Sequence, residues 1–251
     1  TKNRKIICEK VFSVLLLLIP MLVFVLPQKD VSLAERRRLA KRPPIRLSTL
    51  LNGQYMKDFE LALKDQFPGR QSWRSLKAVA DRTAFGRAES NGYVLIDGTL
   101  SKLPEENESA RILVGAAKAI NLVAPILSGD RHRVYAALIP DKNIYLSEKH
   151  PTMFPDYDAL WRDVETAHPE VKWIDLRPAL SLDAFFRTDH HWRQECLGDT
   201  ISKLAEAMNA TTQTVSWEQT LFLQGFRGTY WGQAALPIRE DQLVYCRNSI
   251  V

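Results

Sequence analysis

Cysteine is nearly missing from this chain: Cys8, Cys196 and Cys246 are the only three in 251 residues. No pair of them has zinc-ligand spacing, which excludes a zinc-finger type of module. Outside the cytoplasm Cys196 and Cys246 could pair; the usual burial of free cysteine favours two unpaired thiols. Internal repeats and low-complexity tracts are absent as well, so neither a solenoid nor a biased tail is expected. The folded body also lacks positive charge. The whole chain carries +5, yet residues 1–46 alone carry +8, which leaves −3 for the other 205 residues. That distribution argues against a nucleic-acid partner, which needs a basic face on the domain.

The basic residues flank an apolar run. Val11 to Leu26 is uncharged throughout, behind Lys2, Arg4, Lys5 and Lys10. A membrane-spanning helix takes about 20 apolar residues; this run is slightly short of that, and residues 1–30 are read as a single-pass anchor on the resemblance given below. Ser32 and Ala34 offer the alternative of a cleaved signal peptide. Residues 28–53 read as a basic, Pro-containing linker, in solvent or against anionic head groups. Lys29 to Arg46 is more positive than the flank before the run, and the positive-inside rule would keep that side in the cytoplasm.

Beyond the linker the periods alternate. Gln54–Gln66 and Gln71–Phe85 have helical spacing on either side of Pro68-Gly69. Asp65 and Arg70 flank that break as a structural pair. Tyr93–Ile96, Asp97-Gly98 and Thr99-Leu100 spell a β-hairpin. A long helix from Asn107 buries Ile112, Leu113, Ala116, Ala119, Ile120 and Val123 and ends near Pro125 and Gly129. Arg133–Ile139 and Val171–Asp175 read as parallel strands around an amphipathic helix, 156–168. Lys142 follows the first strand at its carboxyl end, where open α/β sheets place ligands; it is read either as a solvated loop lysine or as neutralising an acidic substrate there. Arg193–Asn209 is helical. From Trp217 to Gly232 the period fades, and Leu243–Cys246 begins another strand. The expected division is 1–30 anchor, 31–105 linker, helical hairpin and β-hairpin, and 106–251 α/β domain.

Thr188-Asp189-His190-His191-Trp192 carries the chemistry. An Asp bonded to a His ring N–H fixes the tautomer and stabilises the imidazolium, as in the Ser-His-Asp relay. Positions i and i+2 share a face in extended chain but not on a helix. A working Asp189/His191 pair therefore requires a loop or strand end, with His190 pointing elsewhere. A metal site is the competing reading. Adjacent histidines rarely reach one ion, and His132, His150 and His168 lie at no useful spacing, so no metal and no cofactor are expected. The third reading is structural, with Trp192 filling core.

The Asp-His-His-Trp string resembles the DHHW protein family and, more distantly, alginate O-acetyltransferases of the AlgJ and AlgX type, all similar to SGNH hydrolases. Glu35-Arg36-Arg37, the segment from Asp65 to Arg70, the segment from Ile139 to Tyr145, and Gly228-Thr229-Tyr230 agree with the resemblance. It implies a three-layer α/β/α domain, incomplete at its C-terminus, behind a transmembrane helix and helical hairpin. It also implies an exported body and catalytic Asp189 and His191; His190, beside them, and Lys142, at its strand end, are placed near substrate by position. The implied activity is O-acyl transfer or ester hydrolysis on a cell-surface polysaccharide. The implied partners are the membrane and a membrane-bound acyltransferase as acyl donor. No Gly-Asp-Ser turn occurs in the chain. Thr200 in Gly198-Asp199-Thr200 falls in a helix and Ser249 has no flanking Gly or Asp, so the nucleophile is expected beyond residue 251. A non-enzymatic tethered scaffold or polysaccharide-binding module is the alternative.

Overall fold

The structure, a computed structural model, describes residues 2–105, 107–127, 135–169, 171–211 and 218–247. Of residues 2–5, 8, 15, 17, 19, 20, 109 and 124–127 it describes the backbone alone. Gly129, His132, Arg133, Trp217 and Ser249, each invoked above, lie outside the described residues. The chain forms two compact units, Thr1–Arg87 with Ala235–Pro237, and Ala88–Ala234 with Ile238–Val251.

The first unit opens with helix α1, Lys2–Val25. The expected transmembrane anchor is not supported: among the described residues no helix is long and apolar enough to cross a membrane. The end of α1 packs on protein instead. Val23 is buried, and the Phe24 ring lies 6.1 Å from that of Phe59. A small antiparallel pair follows, β1 (Val31–Ser32) and β2 (Arg37–Arg38), then α2 (Leu47–Leu51). Helices α3 (Gln54–Gln66) and α4 (Arg70–Ala84) flank the Pro68-Gly69 break, where Gly69 takes φ 65°.

Ion pairs tie the supposed linker down. Arg37 forks onto Asp65 at 2.8 and 2.5 Å, and Ala40 N–H donates to the same carboxylate at 2.8 Å. Buried Glu35 accepts from Arg37 and Arg70 and stands 3.4 Å from Arg74. Arg70 therefore serves Glu35 chiefly and is 3.8 Å from Asp65. Charges this deep hold a fold only when paired and hydrogen-bonded, and both carboxylates here are.

In the second unit β3 (Glu89–Ser90), β4 (Tyr93–Ile96) and β5 (Thr99–Lys102) form an antiparallel sheet. Asn91-Gly92 and Asp97-Gly98 make its turns with all four φ angles between 48 and 81°, as type I′ turns demand. Helix α5 (Glu108–Leu127) then packs on the later helix α7 (Tyr157–Ala167). One helix covers too little of its apolar stripe: Leu113, Ala116 and Ile120 are half-buried, whereas Ile112 and Val123 remain 39% and 40% exposed. Strand β6 (Tyr135–Leu138), α6 (Asn143–Ser147), α7 (Tyr157–Ala167) and β7 (Lys172–Asp175) complete a βαβ unit with parallel strands. Asp156 caps α7 through the Ala159 N–H, and Leu160, Trp161 and Val164 are its buried face. Helix α8 (Gly198–Ala207), strand β8 (Glu218–Phe226), α9 (Thr229–Ala234) and β9 (Asp241–Arg247) follow, with β8 and β9 antiparallel. The fold is thus mixed α/β, and among the described residues each sheet has two or three strands.

Candidate active site

Residues 186–192 form a loop closed by an antiparallel bridge between Phe185 and Trp192. Phe186 N–H donates to the His191 carbonyl at 3.2 Å, and Arg193 N–H to that of Ala184 at 2.8 Å. The Trp192 ring meets Phe185 edge-on at 6.4 Å. So the motif lies on a turn between short extended arms, the geometry that an i, i+2 pair requires.

At its tip Asp189 is 1% exposed. Its Oδ1 accepts from the backbone N–H of His190 (2.8 Å) and His191 (3.2 Å), an Asx-type turn. The same oxygen lies 2.5 Å from Nδ1 of His191. Its Oδ2 accepts from Thr229 N–H at 2.6 Å. Burial alone would raise this carboxyl, but the Thr229 N–H, the His191 ring and the His191 N–H outweigh it and hold the group down at about 2. The His191 side chain is 67% exposed, so its outer face is open.

His190 does not point away, contrary to the sequence expectation. Its Nδ1 is 3.3 Å from Oδ1 of Asp189, and its ring lies tilted against those of His191 (3.9 Å) and Tyr230 (5.5 Å). Partial burial lowers its pKa, against the pull of Asp189. A carboxylate with two convergent imidazoles is also a set of groups able to hold a metal ion.

Lys142 takes a place the sequence did not suggest. It is fully buried, and its Nζ donates to the carbonyls of Leu100 (2.7 Å) and Phe186 (2.8 Å). Leu100 N–H in turn donates to Arg187 O at 2.8 Å. Burial brings the ammonium down to about 8 even though Asp141, Asp241 and Asp189 oppose the shift. Lys142 thus ties β5 to the start of the motif loop and faces carbonyls, not solvent.

Sequence reasoning left Gly228-Thr229 without a role. Gly228 N–H donates to the Thr188 hydroxyl at 2.8 Å, just before Thr229 reaches Asp189. A Cβ on Gly228 would stand 2.5 Å from Thr188 O and 2.6 Å from Asp189 Oδ2, so only glycine permits this approach. Asp241, opening β9, accepts from Arg187 N–H, Thr188 N–H and the Thr188 hydroxyl at 2.6–3.0 Å. Thr200 is buried in the first turn of α8.

A cleft of about 100 Å³ is walled by Asp141, Asn143, Tyr157 and Tyr230, and the Tyr230 ring lies 5.5 Å from that of His190. Burial raises the Asp141 carboxyl above its ordinary range, partly offset by the Asn143 N–H.

No protein-family model matches the sequence, and no curated protein matches it. Among solved structures, a DHHW family protein from Eubacterium siraeum is similar over 64% of this chain, at 20% identity and a TM-score of 0.49. PatB1 of Bacillus cereus, solved with a sulfonyl adduct, is similar over 63%, at 17% identity and a TM-score of 0.40. In each case the match spans 56% of the other chain.

Proposed function

We propose that Asp189 and His191 are the orienter and the general base of an extracytoplasmic O-acyltransferase or esterase acting on a cell-surface polysaccharide. The observation that supports it best is the 2.5 Å contact between a buried, ionised carboxylate and Nδ1 of an exposed imidazole. With Nδ1 carrying the hydrogen, Nε2 has its lone pair free on the open side. It would take a proton from an attacking hydroxyl and return it to the leaving group. Thr229 N–H and the two motif N–H groups keep the carboxylate anionic, so it stabilises the imidazolium without accepting its proton. The serine is proposed to come from outside residues 1–251, as part of a three-layer SGNH-like domain, and the acyl group from a membrane-bound donor. Attachment at a lipid surface through the exposed Phe12, Val14, Leu16 and Met21 of α1 belongs to the same proposal.

Hydrolysis of p-nitrophenyl acetate tests the relay. The 251-residue chain should be inactive and a C-terminally extended chain active. In the extended chain His191→Ala should abolish turnover, and Asp189→Asn should lower kcat by up to about 10⁴ through the wrong tautomer. Full activity in His191→Ala would refute the assignment.

A further inference from the structure

We propose that Asp189, His190 and His191 form an open binding site for a divalent transition-metal ion of the zinc class, and that the ion switches off the base. Only this last consequence rests on the relay reading.

Both Nδ1 atoms face Oδ1 of Asp189, and one ligand atom from each of the three residues lies within 4.8 Å of the others. Ligand atoms on a tetrahedral ion with bonds of about 2.0–2.1 Å stand roughly 3.3 Å apart. The His190 Nδ1–Asp189 Oδ1 separation is 3.3 Å. The shorter 2.5 Å to His191 is the length of a hydrogen bond with its proton in place, and it lengthens when an ion takes the proton's position. The carboxylate is already aimed, since Thr229 N–H holds Oδ2; outer contacts of that kind orient metal ligands. Both imidazoles are open to solvent, at 44% and 67% exposure, which leaves a fourth position for water. Two imidazoles and one carboxylate suit Zn²⁺ better than Mg²⁺ or Ca²⁺, which prefer all-oxygen sets.

The protons balance simply. An ion bound to Nδ1 of neutral His191 uses that lone pair, so the ring hydrogen moves through solvent to Nε2. A ring protonated at Nε2 no longer accepts a proton there, and the metal form is the inactive form.

The test is calorimetric titration of Zn²⁺ into the 251-residue chain, with Mg²⁺ in parallel. One-to-one Zn²⁺ binding and no Mg²⁺ binding are expected. Since changing even an outer contact weakens metal sites by roughly 10–100-fold, His190→Ala and His191→Ala should each cost about tenfold or more. Both rings are substantially exposed, so these variants are expected to fold, and circular dichroism checks that. His150→Ala should bind like the parent. Absence of one-to-one Zn²⁺ binding, undiminished binding in His190→Ala, or loss in His150→Ala would each overturn the site. Failure of the relay would show instead in the hydrolysis assay, with no metal present.

Discussion

At Asp189 one side chain carries a pH dependence for the fold. Its carboxyl is held at about 2, against an ordinary 3.8. A carboxyl depressed on folding stabilises the fold above its unfolded pKa, and that contribution fades as pH falls through the folded value. At about 1.4 kcal/mol per unit, the increment is on the order of 2 kcal/mol, complete above about pH 5 and lost progressively as pH falls through 2 towards about 1. Urea unfolding of the parent and of Asp189→Asn across that range should show a difference that shrinks by about this amount towards acid. A difference constant from pH 5 to pH 2 would mean the carboxyl titrates alike in both states. The Asp189/His191 relation was legible in the sequence because an i, i+2 pair cannot meet on a helix, which left a loop or strand end for it. The burial of Lys142 was not, because its partners Leu100 and Phe186 are more than forty residues away. His190 misled for a related reason: alternation would send it to the opposite face, but the Asx-type turn curls both rings towards one oxygen.

Among the elements, those with strong local codes were foreseen. Asp97-Gly98 announced its hairpin, and Leu160, Trp161 and Val164 announced the buried face of α7. Asn91-Gly92, an equal signal for the turn from β3 into β4, has no place in the sequence reading. Strand β8 has no such code, because its pattern is mostly exposed and two register shifts interrupt it. Most telling is the segment between β8 and α9, where Gly228 lies against Asp189 and Thr188. Gly228→Ala must push the Asp189 side chain or the Thr188 carbonyl away. Overpacking of this kind costs about 1–3 kcal/mol. A matching drop in the urea midpoint is expected, together with an altered His191 imidazole resonance as Asp189 shifts. An unchanged midpoint and resonance would show that the turn yields freely and does not position the carboxylate.

For the whole molecule, charge and export argue in opposite directions. Lys29 to Arg46 is the more basic flank of the apolar run, which by itself favours the cytoplasm. In the structure much of that charge is engaged within the first unit. Arg37 is bound to Asp65 and Glu35, Lys41 pairs with Asp30 at 2.5 Å, and Arg42 lies over the Phe24 ring. These residues belong to a folded unit and not to a free basic tail, yet they stand within about 20 residues of the apolar run, where the positive-inside rule still counts them. On α1, meanwhile, Phe12 and Met21 are 66% and 64% exposed. Apolar surface costs about 25 cal/mol per Å² in water, and a lipid phase would relieve that cost. The proposed function requires α1 at the membrane and the second unit outside the cytoplasm. A reporter enzyme that works only after export, fused after residue 90, should be active, and one that works only in the cytoplasm should be silent at the same point. The reverse pattern would place Asp189 and His191 in the cytoplasm, and a cell-surface polysaccharide would then be beyond their reach.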